Sequence, residues 1–227
     1  MKFDVLTLFP EMIENCCSHS ILKRACQNKV IKINTINPRD FTHDKHKKVD
    51  DKPFGGGAGM VLMAQPFVDA YESIEKEKNS ITVMLTPQGK VFDDKMSNEF
   101  AKYDQIILIC GHYEGFDERI REIIKPQEIS IGDFVLTGGE LPALCLIDSI
   151  SRKIEGTLGK QESAEFDSFS NGLLEYPQYT KPRNFKGLEV PEVLLNGNHS
   201  QIEKFRHEQS IKRTKAKRKD LWDKYSN

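Results

Sequence analysis

The chain lacks the marks of several large protein classes. Its 227 residues include only five cysteines, Cys16, Cys17, Cys26, Cys110 and Cys145, an odd number with no Cys-x-x-Cys spacing. That pattern argues against a disulfide framework or a four-thiolate zinc site, and for a reduced, cytoplasmic compartment. No run approaches the roughly 18 apolar residues that span a membrane. The opening stretch MKFDVLTLFPEM carries acids early and does not read as a secretory signal. Neither charge sign dominates: 33 Lys plus Arg stand against 34 Asp plus Glu, a formal net charge of −1. A chain coated with basic charge is excluded, but a local basic patch is not, and nucleic acid responds to the local field.

Nucleotide fingerprints are also missing. No G-x-x-x-x-G-K-[ST] occurs, and GGGAGM at Gly55–Met60 has no third glycine at the dinucleotide spacing. A P-loop ATPase and a nicotinamide dehydrogenase are disfavoured. There is no internal repeat and no low-complexity block.

What is present alternates between strand-like and helix-like segments. Lys2–Leu8, Val30–Ile36, Ile81–Leu85 and Gln105–Cys110 read as strands, and Pro10–Asn28, Pro66–Lys78, Asp93–Tyr103 and Gly139–Ile154 as helices. Such alternation predicts an α/β fold with a mainly parallel sheet. Glu155–Gly172 is rich in Gly, Ser and acids and reads as a mobile linker. Pro191–Tyr225 reads as two or three short helices, ending in KRTKAKRK at Lys212–Lys219. The predicted plan is an α/β domain over residues 1–156, a linker over 157–172 and a small helical domain over 173–227.

Three loops follow apolar strands: LTPQGK at Leu85–Lys90, CGHYEGFDER at Cys110–Arg119 and SIGDFVLTGGELPA at Ser130–Ala143. Ligands of open α/β sheets bind beyond the carboxyl ends of the strands. Glycine there lets backbone groups approach a flat ligand and read an adenine edge. Any one loop is as well explained by a tight turn; together they point to a ligand site. The loop Pro38–Met60 is long enough to be functional. Its His43 and His46 are candidate metal ligands, but without a third ligand the pattern fits a solvated loop better.

Asp167, in AEFDSF, stands between Phe166 and Phe169. A carboxylate buried there on closure would have its pKa raised toward that of a useful base, although an exposed linker acid is the plainer reading. Arg152 near the end of the Gly139–Ile154 helix either complements the helix dipole or holds a polarised oxygen. His199, in the turn GNH, and the basic residues Lys215, Lys217 and Arg218 suit phosphate contacts, or simply a solvated face.

PRDFTHDKHKKVDDKPFGGGAGM, CGHYEGFDER, SIGDFVLTGGELPA, LLEYPQYTKP and VLLNGNH, in that order from about Phe3 to Arg213, together resemble the bacterial tRNA (guanine-N1)-methyltransferases of the TrmD type, in the SPOUT superfamily. His112 stands where some members carry arginine, and the tail after Lys219 is short. The resemblance implies a trefoil-knotted α/β fold and a homodimer. It implies S-adenosyl-L-methionine as methyl donor, held by Thr86, Pro87 and Gln88, by Tyr113, Glu114 and Gly115, and by Ile131, Gly132, Phe134, Leu136, Gly138, Gly139 and Pro142. It implies guanosine 37 of tRNA, preceded by another guanosine at position 36, as substrate. Asp167 would be the general base and Arg152 would hold the guanine O6. Magnesium would assist, with Glu114 its candidate ligand. The alternatives are a ribose 2′-O-methyltransferase of the same knotted fold and a non-catalytic RNA-binding relative.

Overall fold

The computed structural model describes residues 1–159 and 167–226. The chain divides into two compact units, Met1–Gly159 and Lys160–Asn227.

The first unit is built on a five-stranded sheet. Its strands are β1 (Lys2–Leu6), β2 (Lys32–Ile36), β5 (Ser80–Val91), β6 (Gln105–Ile109) and β7 (Gln127–Ser130), in the order β2-β1-β6-β5-β7. Every pairing is parallel. A parallel sheet hides both faces, and β6, QIILI, is buried at every position. Alternate residues serve the two faces. Phe3, Val5, Ile106 and Leu108 pack with residues of α1 (Pro10–Cys17), α2 (Ser20–Gln27), α4 (Asp94–Phe100) and α6 (Glu140–Ser151). Met84 and Ile109 pack on the other side with Phe67 of α3 (Ala64–Glu72) and Ile120 of α5 (Glu118–Ile124). A short antiparallel pair, β3 (Asp50–Asp51) and β4 (Val61–Leu62), closes the base of the long loop.

Buried polar groups at the amino ends of the strands are paired, as burial requires. The Gln105 amide donates to Asp4 at 2.6 Å and to the Glu75 carbonyl at 3.0 Å. Asp4 also meets Lys2 at 3.0 Å.

The stretch Pro10–Asn28, expected as one helix, is two. The break falls at Ser18–His19, and Ser20 opens α2 with φ +50. The strand expected to stop at Leu85 resumes beyond its loop. Leu85 and Lys90 both pair with Ile129, so Thr86–Gly89 bulges out of β5.

The second unit, described by itself, begins with a turn at Asp167–Gly172. A hairpin follows, β8 (Asn184–Phe185) and β9 (Leu188–Glu189), then a 3₁₀ turn at Glu192–Leu194. In place of the short helices expected, α7 (His199–Lys217) runs 19 residues, with α8 (Lys219–Tyr225) after it. Asn198 caps α7, its side chain accepting from the Gln201 amide at 3.2 Å, which satisfies a first-turn donor. Fully buried Thr214 accepts from the Leu174 amide at 2.9 Å and donates to the Ser210 carbonyl at 2.7 Å. Arg213 donates to the Glu175 carbonyl at 3.1 Å. These bonds fasten Leu174–Glu175 along the helix. The linker reading of Glu155–Gly172 falls partly on residues 160–166, which lie outside the described residues, as does Phe166.

Candidate active site

At the bulge of β5 and beyond the carboxyl ends of β6 and β7, the three glycine loops surround one cavity of about 270 Å³. All the residues expected to hold the donor line it except Gln88, which is exposed on the β5 bulge. His112, Val135 and Thr137, from the same glycine loops, line it too.

The glycines explain how three loops reach one place. A Cβ on Gly89 would stand 2.6 Å or less from Glu128 backbone atoms, so only glycine lets the β5 bulge lie against β7. A Cβ on Gly139 would stand 2.7 Å from Cys110 Cα and 2.9 Å from the Gly111 nitrogen. That approach lets the Gly139 amide donate to the Gly111 carbonyl at 2.8 Å. Tyr113, with φ +58, turns the middle loop sharply at the cavity wall, a conformation that non-glycine residues rarely hold.

The long polar loop Pro38–Met60 also ends here. The Glu114 amide donates to the Met60 carbonyl at 3.0 Å, and the Leu62 amide to the Gly115 carbonyl at 2.9 Å. Gly59 lies so close to the Glu114 side chain that any side chain on it would collide with the carboxylate. Glu114 itself is exposed at the cavity. His43 and His46 are both exposed; His43 meets Asp69 at 3.4 Å. Among the described residues no three His, Cys, Asp or Glu side chains converge as a metal site.

Arg152 is half-buried at the C-cap of α6, its amide donating to the Asp148 carbonyl at 3.2 Å. Asp167 is half-buried in the second unit, at a cavity of about 260 Å³ shared with Glu203, Arg206 and His207. Its carbonyl accepts from the Ser170 hydroxyl at 2.8 Å, and the turn continues through Phe169 at φ +79. His199, Lys215, Lys217 and Arg218 are exposed on α7 and at its end. Two of these cations already have partners. Arg218 grips Asp220 through two hydrogen bonds, at 2.8 and 2.6 Å, and holds that carboxyl down at about 2. Lys215 lies over the Trp222 ring, 4.2 Å from its centre, where the ring face attracts the cation.

The sequence profile of the family described as tRNA (Guanine-1)-methyltransferase TrmD matches residues 1–224. The chain belongs to that family. It is 55% identical to the tRNA (guanine-N(1)-)-methyltransferase of Carboxydothermus hydrogenoformans over 97% of this chain and 87% of the relative. It is 55% identical to that of Ruminiclostridium cellulolyticum over 100% and 98%, and 53% identical to that of Staphylococcus carnosus over 99% and 92%.

Within this TrmD family member, Cys110 sits at the end of β6 beside the cavity loops, yet it is ill-suited to attack anything. It is fully buried, and burial first, then the charge of Glu140, pushes its thiol well above the ordinary range, which leaves no thiolate to act as nucleophile. His112 and Glu140 each follow a glycine in the sequence, but nothing local there ties one to the other.

Proposed function

We propose that this chain transfers a methyl group from S-adenosyl-L-methionine to N1 of guanosine 37 in tRNA, next to a guanosine at position 36. The observation that carries the reading is the convergence of three glycine loops on one cavity, at the β5 bulge and the carboxyl ends of β6 and β7, in a chain matched by the family over residues 1–224. The cavity suits the donor. Its walls are backbone-rich where an adenine edge could be read, and mixed with apolar Ile131, Phe134, Leu136 and Pro142, the usual make-up of a small-molecule site. Its mouth also carries an acid, Glu114, for a cationic ligand. For the magnesium that the family resemblance implies, Glu114 is the one candidate ligand among the described residues that line the cavity.

When bound, S-adenosylmethionine supplies a methyl group on a sulfonium centre with a good leaving group. The protein's residues then have two tasks. Guanine N1 carries a proton at neutral pH, so its lone pair is unavailable until that proton leaves. We assign its removal to Asp167. Negative charge then develops at O6, where we assign Arg152, a permanently charged planar fork, to stabilise it. An anticodon-loop base is unpaired and can be splayed out without opening a duplex. The site of action would be the cytoplasm; no helix among the described residues is long and apolar enough to cross a membrane.

We also infer a trefoil knot and a homodimer. The support for the knot is the close passage of the Leu136–Gly139 segment along Gly111–His112, with a bridge between His112 and Gly138. The support for the dimer is exposed apolar surface in the first unit. Phe9, Met12, Phe134, Val135 and Leu141 are all at least 40% exposed, side chains that a second copy of the chain would cover. Val135→Asp combined with Leu141→Asp is expected to convert a dimer to monomer in sedimentation velocity. An unchanged dimer would place the interface elsewhere.

The function is tested by methyl transfer from labelled donor to unmodified tRNA transcripts carrying guanosine or adenosine at position 37. Label is expected only in the first; equal label in both, or none, would overturn the reading. The basic end is tested by neutralising Lys215, Lys217, Arg218 and Lys219. tRNA affinity should fall and its salt dependence become shallower, by about 0.7 to 0.9 in log–log slope for each phosphate no longer neutralised. Because Arg218 is engaged with Asp220 and Lys215 lies over Trp222, Lys217 and Lys219 should carry most of the change. An unchanged slope would reduce the run to a solvated face.

A further inference from the structure

Three segments that end or begin at the carboxyl side of the sheet meet at one buried carboxylate. Glu140, the first residue of α6, is 1% exposed. One of its oxygens accepts from the Thr7 hydroxyl at 2.6 Å, just past β1. The other lies 2.6 Å from Nε2 of His112, just past β6. Thr7 is fully buried, and its oxygen also accepts from the Phe9 amide at 2.9 Å, so its proton points at Glu140. Phe9 in turn packs 4.7 Å from the His112 ring.

The two ends of the His112–Glu140 contact belong to different walls of the cavity. His112 adjoins Tyr113, whose φ of +58 turns the middle loop, and its carbonyl accepts from the Gly115 amide at 3.1 Å. Glu140 ends the loop that runs through Gly132, Phe134 and Gly138. Any side chain on Gly138 would strike the His112 ring and the Glu140 carboxylate, so glycine there makes room for the contact. A buried carboxylate gains strongly from each donor and is costly to leave short of one. The contact therefore fixes how far apart the two walls stand.

We propose that Thr7, Glu140 and His112 form a positioning relay that holds the Tyr113–Gly115 turn against the Gly132–Gly139 loop, and so keeps the donor cavity in its binding shape. His112 acts through Tyr113–Gly115, not on the methyl group or the guanine. This rests on the cavity being the donor site.

The test uses full-length His112→Phe, which keeps a ring against Phe9 and removes the nitrogen that meets Glu140. His112→Gln, whose amide can still reach the carboxylate, is its partner. Donor affinity is measured by calorimetry and turnover at saturating donor by methyl transfer to tRNA. His112→Phe should bind donor about tenfold more weakly, as the removal of one charge-assisted hydrogen bond implies. Its KM for donor should rise in step, with kcat within about twofold of the parent. His112→Gln should recover most of the affinity. In a double-mutant cycle, Glu140→Gln should add little to His112→Phe, because both break the same pairing. If His112→Phe proves too unstable, Thr7→Val, which strips another bond from the same carboxylate, should show the same affinity-only signature, at about threefold. Unchanged donor affinity with a lowered melting temperature would overturn the relay and leave a purely structural role. So would equal losses in the Phe and Gln variants, or fully additive losses in the cycle. A parent protein that bound no donor would refute the donor site itself, a separate result.

Discussion

Asp167→Asn is expected to slow methyl transfer by at least about 10²-fold, the ordinary scale of a general base, while donor affinity stays within about twofold. The asparagine amide keeps the shape of the carboxylate but cannot take the guanine N1 proton, so the lone pair is not released. Donor affinity should hold because the cavity lined by the three glycine loops is built from residues 85–142 and does not include Asp167. One bond of the turn is indifferent to the change: the Asp167 carbonyl, unchanged in asparagine, accepts the Ser170 hydroxyl. The measurement is single-turnover methyl transfer alongside donor calorimetry. Near-parental rates would remove Asp167 from the role of base. A joint loss of rate and donor affinity would mean the substitution acts through structure.

Gly139→Ala is expected to abolish measurable donor binding and to cost about 1–3 kcal/mol of stability, the usual penalty for forcing extra volume into close-packed structure. The added carbon would face backbone, the Cys110 Cα and the Gly111 nitrogen, and neither can rotate away as a side chain would. The start of α6 must then move off the end of β6, breaking the 2.8 Å bond from the Gly139 amide to the Gly111 carbonyl. Two controls bracket this. Gly138→Ala meets the side chains of His112 and Glu140, which can shift, so its effect should be smaller. Gly159→Ala meets nothing within 4 Å among the described residues and should be neutral. Thermal melts and donor calorimetry on the three variants give the order; Gly139→Ala with parental donor affinity would contradict the packing described.

The sheet was readable because a parallel strand hidden on both faces is written almost wholly in apolar residues, as in QIILI at β6. The cavity was readable because close backbone approach demands glycine, and glycine is visible one residue at a time. Other features leave weaker traces. The break between α1 and α2 uses Ser20 at φ +50, with neither glycine nor proline to announce it. Helix α7 turns Ser210 and Thr214 inward, so its buried face carries no apolar stripe and the segment read as shorter pieces. Lys186–Gly187 makes the tight turn of the β8–β9 hairpin, on strands too short to show alternation. Arg218 and Asp220 stand two residues apart in sequence, yet only the folded chain shows the guanidinium committed to that carboxylate. The His112–Glu140 contact joins residues 28 apart, beyond the reach of any local pattern.

The central claim is most directly tested by locating the methyl group. Unmodified tRNA with guanosines at positions 36 and 37 is incubated with the protein and S-adenosylmethionine, digested, and its nucleosides and fragments are mapped by mass spectrometry. The expected result is 1-methylguanosine at position 37 and no other new methylation. A methyl on a ribose, on another base, or on no nucleotide at all would contradict it.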